Sequence, residues 1–179
     1  MKRFILVLLL AVFLAGPACA FWPFGSSEKE KDIVSDRSLP IEQRIEAAFK
    51  DALGKSKAEQ GFKLRVLSDC VQITYPISDG FSSDWIRKGV FRDTAKLMQK
   101  MKIFNRERAE EKKTEYNLDV MGQCPLVNKR TGEQTTETVI DLFMSAEVIR
   151  GWPEEGKAFD HNLIPQIADN YWLHRVLKD

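Results

Sequence analysis

The sequence predicts an α+β domain in which about three helices pack against a small, mostly antiparallel sheet, stapled by one disulfide between Cys70 and Cys124. Three observations predict it. Apolar residues recur at helical spacing over residues 40–53 and 84–101. They alternate at period two over residues 62–77 and again on both sides of a turn near residue 130. An even pair of cysteines remains once the N-terminal residues are set aside.

Those first residues have the order of an export signal. Lys2 and Arg3 precede an apolar run from Phe4 to Ala15; Gly16 and Pro17 end it, and Ala18-Cys19-Ala20 follows with small residues at the cleavage positions. The run holds about a dozen apolar residues, short of the roughly 20 that a membrane-spanning helix needs. Cleavage after Ala20 is therefore expected, with Phe21 as the new amino terminus and the periplasm as the destination. A cysteine placed as Cys19 is also a candidate for lipidation, which would hold the chain on a membrane. The preceding Gly16-Pro17-Ala18 lacks the Leu-like residue that lipoprotein signals carry, so the alternative of an anchor through Cys19 is the weaker one.

The domain plan is then residues 1–20 as signal peptide, 21–37 as a flexible leader and 38–179 as a single α+β domain. The leader joins the aromatic cluster Phe21-Trp22-Pro23-Phe24 to a run of alternating charge, a composition that suits a tail or an aromatic tether. No internal repeat points to a solenoid.

Taken in order, the first helix runs from about Pro40, suited to a first turn, to Leu53, with Gly54 as its stop. Residues 62–77 read as strand, with a change of phase at Ser68-Asp69 that marks a bulge or a tight turn. A second helix opens at Ser82 or Ser83, both capping types, and spans about Asp84 to Met101, with Ile86, Val90, Leu97 and Met101 apolar and Trp85, Phe91 and Met98 flanking them. The charged stretch from Asn105 to Lys113 fits either more helix or a solvated loop. A long hairpin follows: Tyr116, Leu118, Val120 and Cys124 share one face of its first strand, and Ile140, Leu142, Met144, Ala146 and Val148 share one face of its second. Pro125 places the end of its strand at an edge. The chain closes with a helix expected over Pro165–Leu177.

Composition excludes several function classes. With Lys2 and Arg3 removed, 25 of the 27 basic residues face 26 acidic ones, so no global charge favours nucleic acid or another polyanion. No later segment is apolar enough to span a membrane. The two histidines, His161 and His174, lack metal-binding spacing, and no nucleophile elbow, phosphate loop or dinucleotide glycine pattern is present. No catalytic residue, cofactor or metal is assigned. Cys70 and Cys124 are too far apart in sequence for a redox C-x-x-C pair, which leaves a structural staple. One local asymmetry stands out: Lys88, Arg92, Lys96 and Lys100 recur every four residues on the second helix, within a segment (82–113) of ten basic and five acidic residues. Like charges at that spacing destabilise a helix by a few tenths of a kcal/mol per pair unless a neighbour or ligand offsets them. These observations lead to a non-enzymatic periplasmic binding or accessory protein of the cell envelope, docking an acidic partner or an anionic envelope surface through this basic face. A small-ligand carrier and a cell-wall hydrolase with dispersed carboxylates are the alternatives.

Overall fold

The computed structural model describes residues 33–77, 82–127 and 130–178. The export signal and the aromatic cluster lie outside them. Helix α1 (Ile41–Leu53) leads through Gly54, whose φ of 82° suits glycine, into the short α2 (Lys55–Glu59). Strands β1 (Lys63–Val66) and β2 (Cys70–Pro76) form a hairpin. The Leu67 amide donates to the Cys70 carbonyl at 2.8 Å, so the phase change at Ser68-Asp69 is a tight turn.

Helix α3 (Ser83–Glu110) then carries the chain across to β3 (Asn117–Val127), which pairs parallel with β2. At 28 residues it is about 42 Å long. β4 (Gln134–Met144) returns antiparallel to β3. A short α4 (Ala146–Gly151), a single-turn α5 (Ile164–Ile167) and strand β5 (Asn170–Leu173) complete the order, with a final 3-10 turn at Arg175–Leu177. The fold is α+β. Its sheet has five strands in sequence order β1-β2-β3-β4-β5, one more extensive than the small sheet expected, and mixed because β2 and β3 run parallel.

One face of the sheet is covered by helices and holds the core. Val71, Ile73 and Tyr75 of β2, Leu118 and Val120 of β3, and Ile140, Leu142 and Met144 of β4 are buried there against Phe49 of α1 and Val90, Leu97, Met98 and Met101 of α3. At the β3/β4 bulge Val139 is skipped in the register, so Val139 and Ile140 both turn inward. Gly122 lies opposite. A Cβ placed there would sit 2.7 Å from Ile140 Cγ2 and 3.0 Å from Ile77 Cδ1. Because both isoleucines are buried, Gly122→Ala is expected to cost about 1 to 3 kcal/mol. Urea denaturation checks it; a variant as stable as the parent contradicts the close packing at the bulge.

Three expectations are corrected. No disulfide joins Cys70 and Cys124. Parallel pairing sets Cys70 opposite Asn117, seven residues from Cys124, which is about 23 Å along the strand. Cys124 is buried on the helix side, whereas Cys70 shares the open face with Gln72 and Asp119. The distance and the facing both exclude a bond. Secondly, residues 165–177 do not form one helix. After α5, Tyr171 and Leu173 point inward and Trp172 outward, an alternation that fits the edge of β4. The Asp169 amide donates to the Phe143 carbonyl at 3.0 Å to start the pairing. Thirdly, Ala146 and Val148 do not extend the second hairpin strand: β4 ends at Met144, and both residues lie in α4, whose cap Ser145 accepts from the Val148 amide. Val34 packs against the core.

The charged stretch left open between helix and loop is helix as far as Glu110. Tertiary contacts hold it: Asn105 exchanges two hydrogen bonds with the backbone of Tyr116, at 2.9 and 2.7 Å, and Arg108 stacks on the Tyr116 ring at 3.8 Å. Pro125 does stand where β3 has outrun β2, whose last partner is Gln123.

Candidate functional site

Helix geometry decides what becomes of the basic stripe. Each step of four residues turns the helix by about 40°, so Lys88 and Lys100 point about 120° apart. Lys100 consequently leaves the outer face. Its side chain is 13% exposed and its Nζ lies 3.0 Å from Asp51 of α1 and 2.6 Å from Glu155. Burial disfavours the Lys100 ammonium, but hydrogen bonds to Glu155 and Asp51 outweigh it and raise its pKa. This residue clamps α3 to its neighbours. Lys88 pairs with Asp84 one turn earlier, at 2.8 Å, on the surface, and the same hydrogen bond lowers the Asp84 pKa.

Arg92 and Lys96 are exposed and make no hydrogen bond or ion pair among the described residues. Trp85 joins them. The residue is 56% exposed, although the sequence places it beside the apolar set. Counting 100° per residue puts Trp85, Lys88, Arg92 and Lys96 within about 80° of one another on the outer surface. Gly89, between Lys88 and Arg92 in sequence, adds no side chain. The resulting surface is a Trp at the head of a cationic line. The other sides of the helix are anchored by Val90, Phe91, Ala95, Leu97 and Met98, all buried, and its start is capped by Ser82 Oγ, which accepts from the Trp85 amide at 3.2 Å. The periodicity count could have found Trp85 from sequence alone.

The open face of the sheet carries a second polar cluster. Asp119 accepts from Gln72 Nε2 at 3.0 Å and lies diagonal to Asp141 on β4. Burial, then a hydrogen bond shared with Asp119 and the charge of that residue, push the Asp141 carboxyl up to about 6 from 3.8. A carboxyl that holds its proton more tightly when folded favours the folded state below about pH 4 and loses that contribution as pH rises through its folded value. Asp141→Asn is therefore expected to stabilise the domain at pH 7 by on the order of 1 kcal/mol, discounted for solvent screening at this half-exposed site, and to change little at pH 3.5. Thermal melts at the two pH values check this; equal effects at both contradict it. Burial first, then Asp119 and Asp69, push the nearby Cys70 thiol up to about 11. Cys70 is thus a poor nucleophile at neutral pH.

A cleft of about 670 Å³ opens where the far half of the β3/β4 hairpin runs past the rest of the sheet. Leu126 and Val127 form one side, Glu137 of β4 the floor, and His174, Arg175 and Val176 the other side. His174 Nδ1 accepts from the Val176 amide at 3.2 Å, so Nε2 is the nitrogen that faces Glu137, 3.9 Å away. With Nδ1 occupied in this way, His174 is placed as a positioned donor. His161 lies elsewhere, at the head of a 3-10 turn whose cap, Asp160, accepts from the Asn162 amide at 3.0 Å. Among the described residues, no group of three or more His, Cys, Asp or Glu side chains could hold a metal ion. No described helix is long and apolar enough to cross a membrane. Compared with known proteins, the chain matches no family, no curated protein and no solved structure.

Proposed function

We propose that this chain is an exported, periplasmic binding or accessory protein of the cell envelope that docks an acidic protein partner through the Trp85–Lys88–Arg92–Lys96 face of α3. One observation carries the reading: Arg92 and Lys96 stand exposed, with no hydrogen bond or ion pair among the described residues, in line with an exposed Trp. Elsewhere on the same helix the cations are matched, Lys100 by two carboxylates and Arg106 by Glu154 at 2.8 Å. Tryptophan and arginine supply much of the energy at protein interfaces, because a large flat ring and a rigid guanidinium lose little entropy on docking. The buried inner side of α3 keeps this face pre-organised, which lowers the cost of association. Export rests on the order of residues 1–20, and it sets the compartment in which the partner is met.

A photo-crosslinking side chain introduced at position 96 of the full chain, expressed with its signal, is expected to trap a partner in the envelope. The same group at the exposed position 63, on β1, is expected to trap none. Arg92→Gln should diminish the position-96 adduct. Equal adducts from both positions, or none from position 96, refute the reading.

A further inference from the structure

We propose a second binding site, independent of the α3 face: the cleft beside the β3/β4 hairpin takes an extended basic peptide segment as an added strand on β4. The first ground is an open edge. β5 pairs with β4 only over Ile140–Phe143, and the His174 amide adds one last bond, 2.9 Å long, to the Val139 carbonyl. β4 continues for several residues beyond that point, from Thr138 to Gln134, with no strand among the described residues on its outer side. Unpaired main-chain donors and acceptors on such an edge are a template for another chain.

The C-terminal turn makes the edge a cleft. After His174 the chain bends away, and its carbonyls are taken by α3: Arg87 Nη1 donates to the Leu177 carbonyl at 2.9 Å, and Ser83 Oγ lies 3.4 Å from the Val176 carbonyl. Held in this way, the turn cannot continue β5 along the edge. It stands as the facing wall instead, and the gap holds about 670 Å³. A segment of a few residues fits a space of that size.

Charge and side-chain spacing give the chemistry of the occupant. Glu133 and Glu137 both line the cleft with Thr135 between them, and the Thr135 hydroxyl donates to Glu137 Oε1 at 2.9 Å, holding that carboxylate. Four residues of extended chain separate the two glutamates by about 13 Å. Side chains of an added strand repeat on one face every second residue. Basic residues four apart would therefore meet the two carboxylates, with a small or apolar residue between them over Thr135. Val176, 45% exposed, offers apolar contact on the facing wall. Arg175 at the wall disfavours a strongly cationic ligand with basic residues at every position, which sharpens the preference for this spacing.

The test uses a blocked, fluorescein-labelled heptapeptide of alternating valine and threonine with lysine at its second and sixth positions, titrated with the full mature chain. Saturable binding is expected. Replacing both lysines with glutamate, or N-methylating the peptide amides that would face β4, should weaken it at least tenfold. Glu133→Gln with Glu137→Gln should do the same without lowering the melting temperature, since both side chains are at the surface. Arg92→Gln with Lys96→Gln should leave this binding unchanged, so that failure here and failure of the α3 reading are separate results. Absence of binding at millimolar concentration, or binding indifferent to the glutamates or to N-methylation, overturns the proposal.

Discussion

Replacing Arg44 with leucine is expected to destabilise the domain by about 3 to 5 kcal/mol, the range found when one partner of a buried ion pair is removed. Arg44 sits on α1 and is 4% exposed. Its guanidinium makes a forked pair with Glu107 at 2.8 and 2.7 Å, and two further bonds to the Val34 carbonyl at 2.8 and 2.7 Å. The carbon of the fork lies 5.5 Å from the centre of the Phe104 ring. One side chain thereby joins the residues before α1, α1 itself and the last turns of α3. Leucine leaves Glu107 half-desolvated and the Val34 carbonyl without its donor. Lysine keeps the charge but not the planar fork, so Arg44→Lys is expected to recover less than half of the loss. Urea denaturation of the three proteins gives the comparison. A loss under about 1 kcal/mol for leucine would show that the fork adds little to stability.

A second buried pair offers a sharper contrast. Asp93, in the middle of α3, is 3% exposed and is matched by Lys57 reaching over from α2. The Lys57 ammonium also lies 5.4 Å from the centre of the Tyr75 ring. Tyr75 is fully buried, and burial, followed by the charge of Asp93, holds its hydroxyl well above the usual phenol range. Lys57→Met is expected to cost about 3 kcal/mol, because it strands a carboxylate in the core. Removing the carboxylate as well, in Lys57→Met with Asp93→Leu, is expected to restore most of that stability. If the double variant is as unstable as the single one, Lys57 acts through packing and not through charge.

Both pairs show why the sequence could be read only in part. The elements declared by local signals were legible: Pro40 and Gly54 bracket α1, Ser82 caps α3, and alternation marks the β3/β4 hairpin. The partners were not, since Lys57 and Asp93 are 36 residues apart and their meeting depends on how α2 folds back over α3. The parallel pairing of β2 with β3 leaves no local mark either, and it decides the fate of the cysteines. The closing segment misled because Ile164, Ile167, Ala168 and Tyr171 satisfy a helical period by accident of count, while the alternation at Tyr171, Trp172 and Leu173 is too short to outweigh it without sight of the β4 edge.

The basic stripe lies between these cases. Spacing of four along a helix is readable, but the slow drift of that spacing takes Lys100 from solvent into the contact with Asp51. What remains outside is a shorter line with Trp85 at its head. The hairpin cleft had no sequence signal at all, because it exists only where β5 stops and the last turn bends away.

The α3 face is tested most directly by the salt needed to release the chain from immobilised poly-glutamate. The wild type and a Lys63→Gln, Arg65→Gln control, altered at two exposed cations on β1, are expected to elute together. Arg92→Gln with Lys96→Gln is expected to elute at clearly lower salt, since it removes the two cations aligned with Trp85 on one face, whereas the control removes as many charges elsewhere. Elution of that double variant together with the wild type would contradict the account.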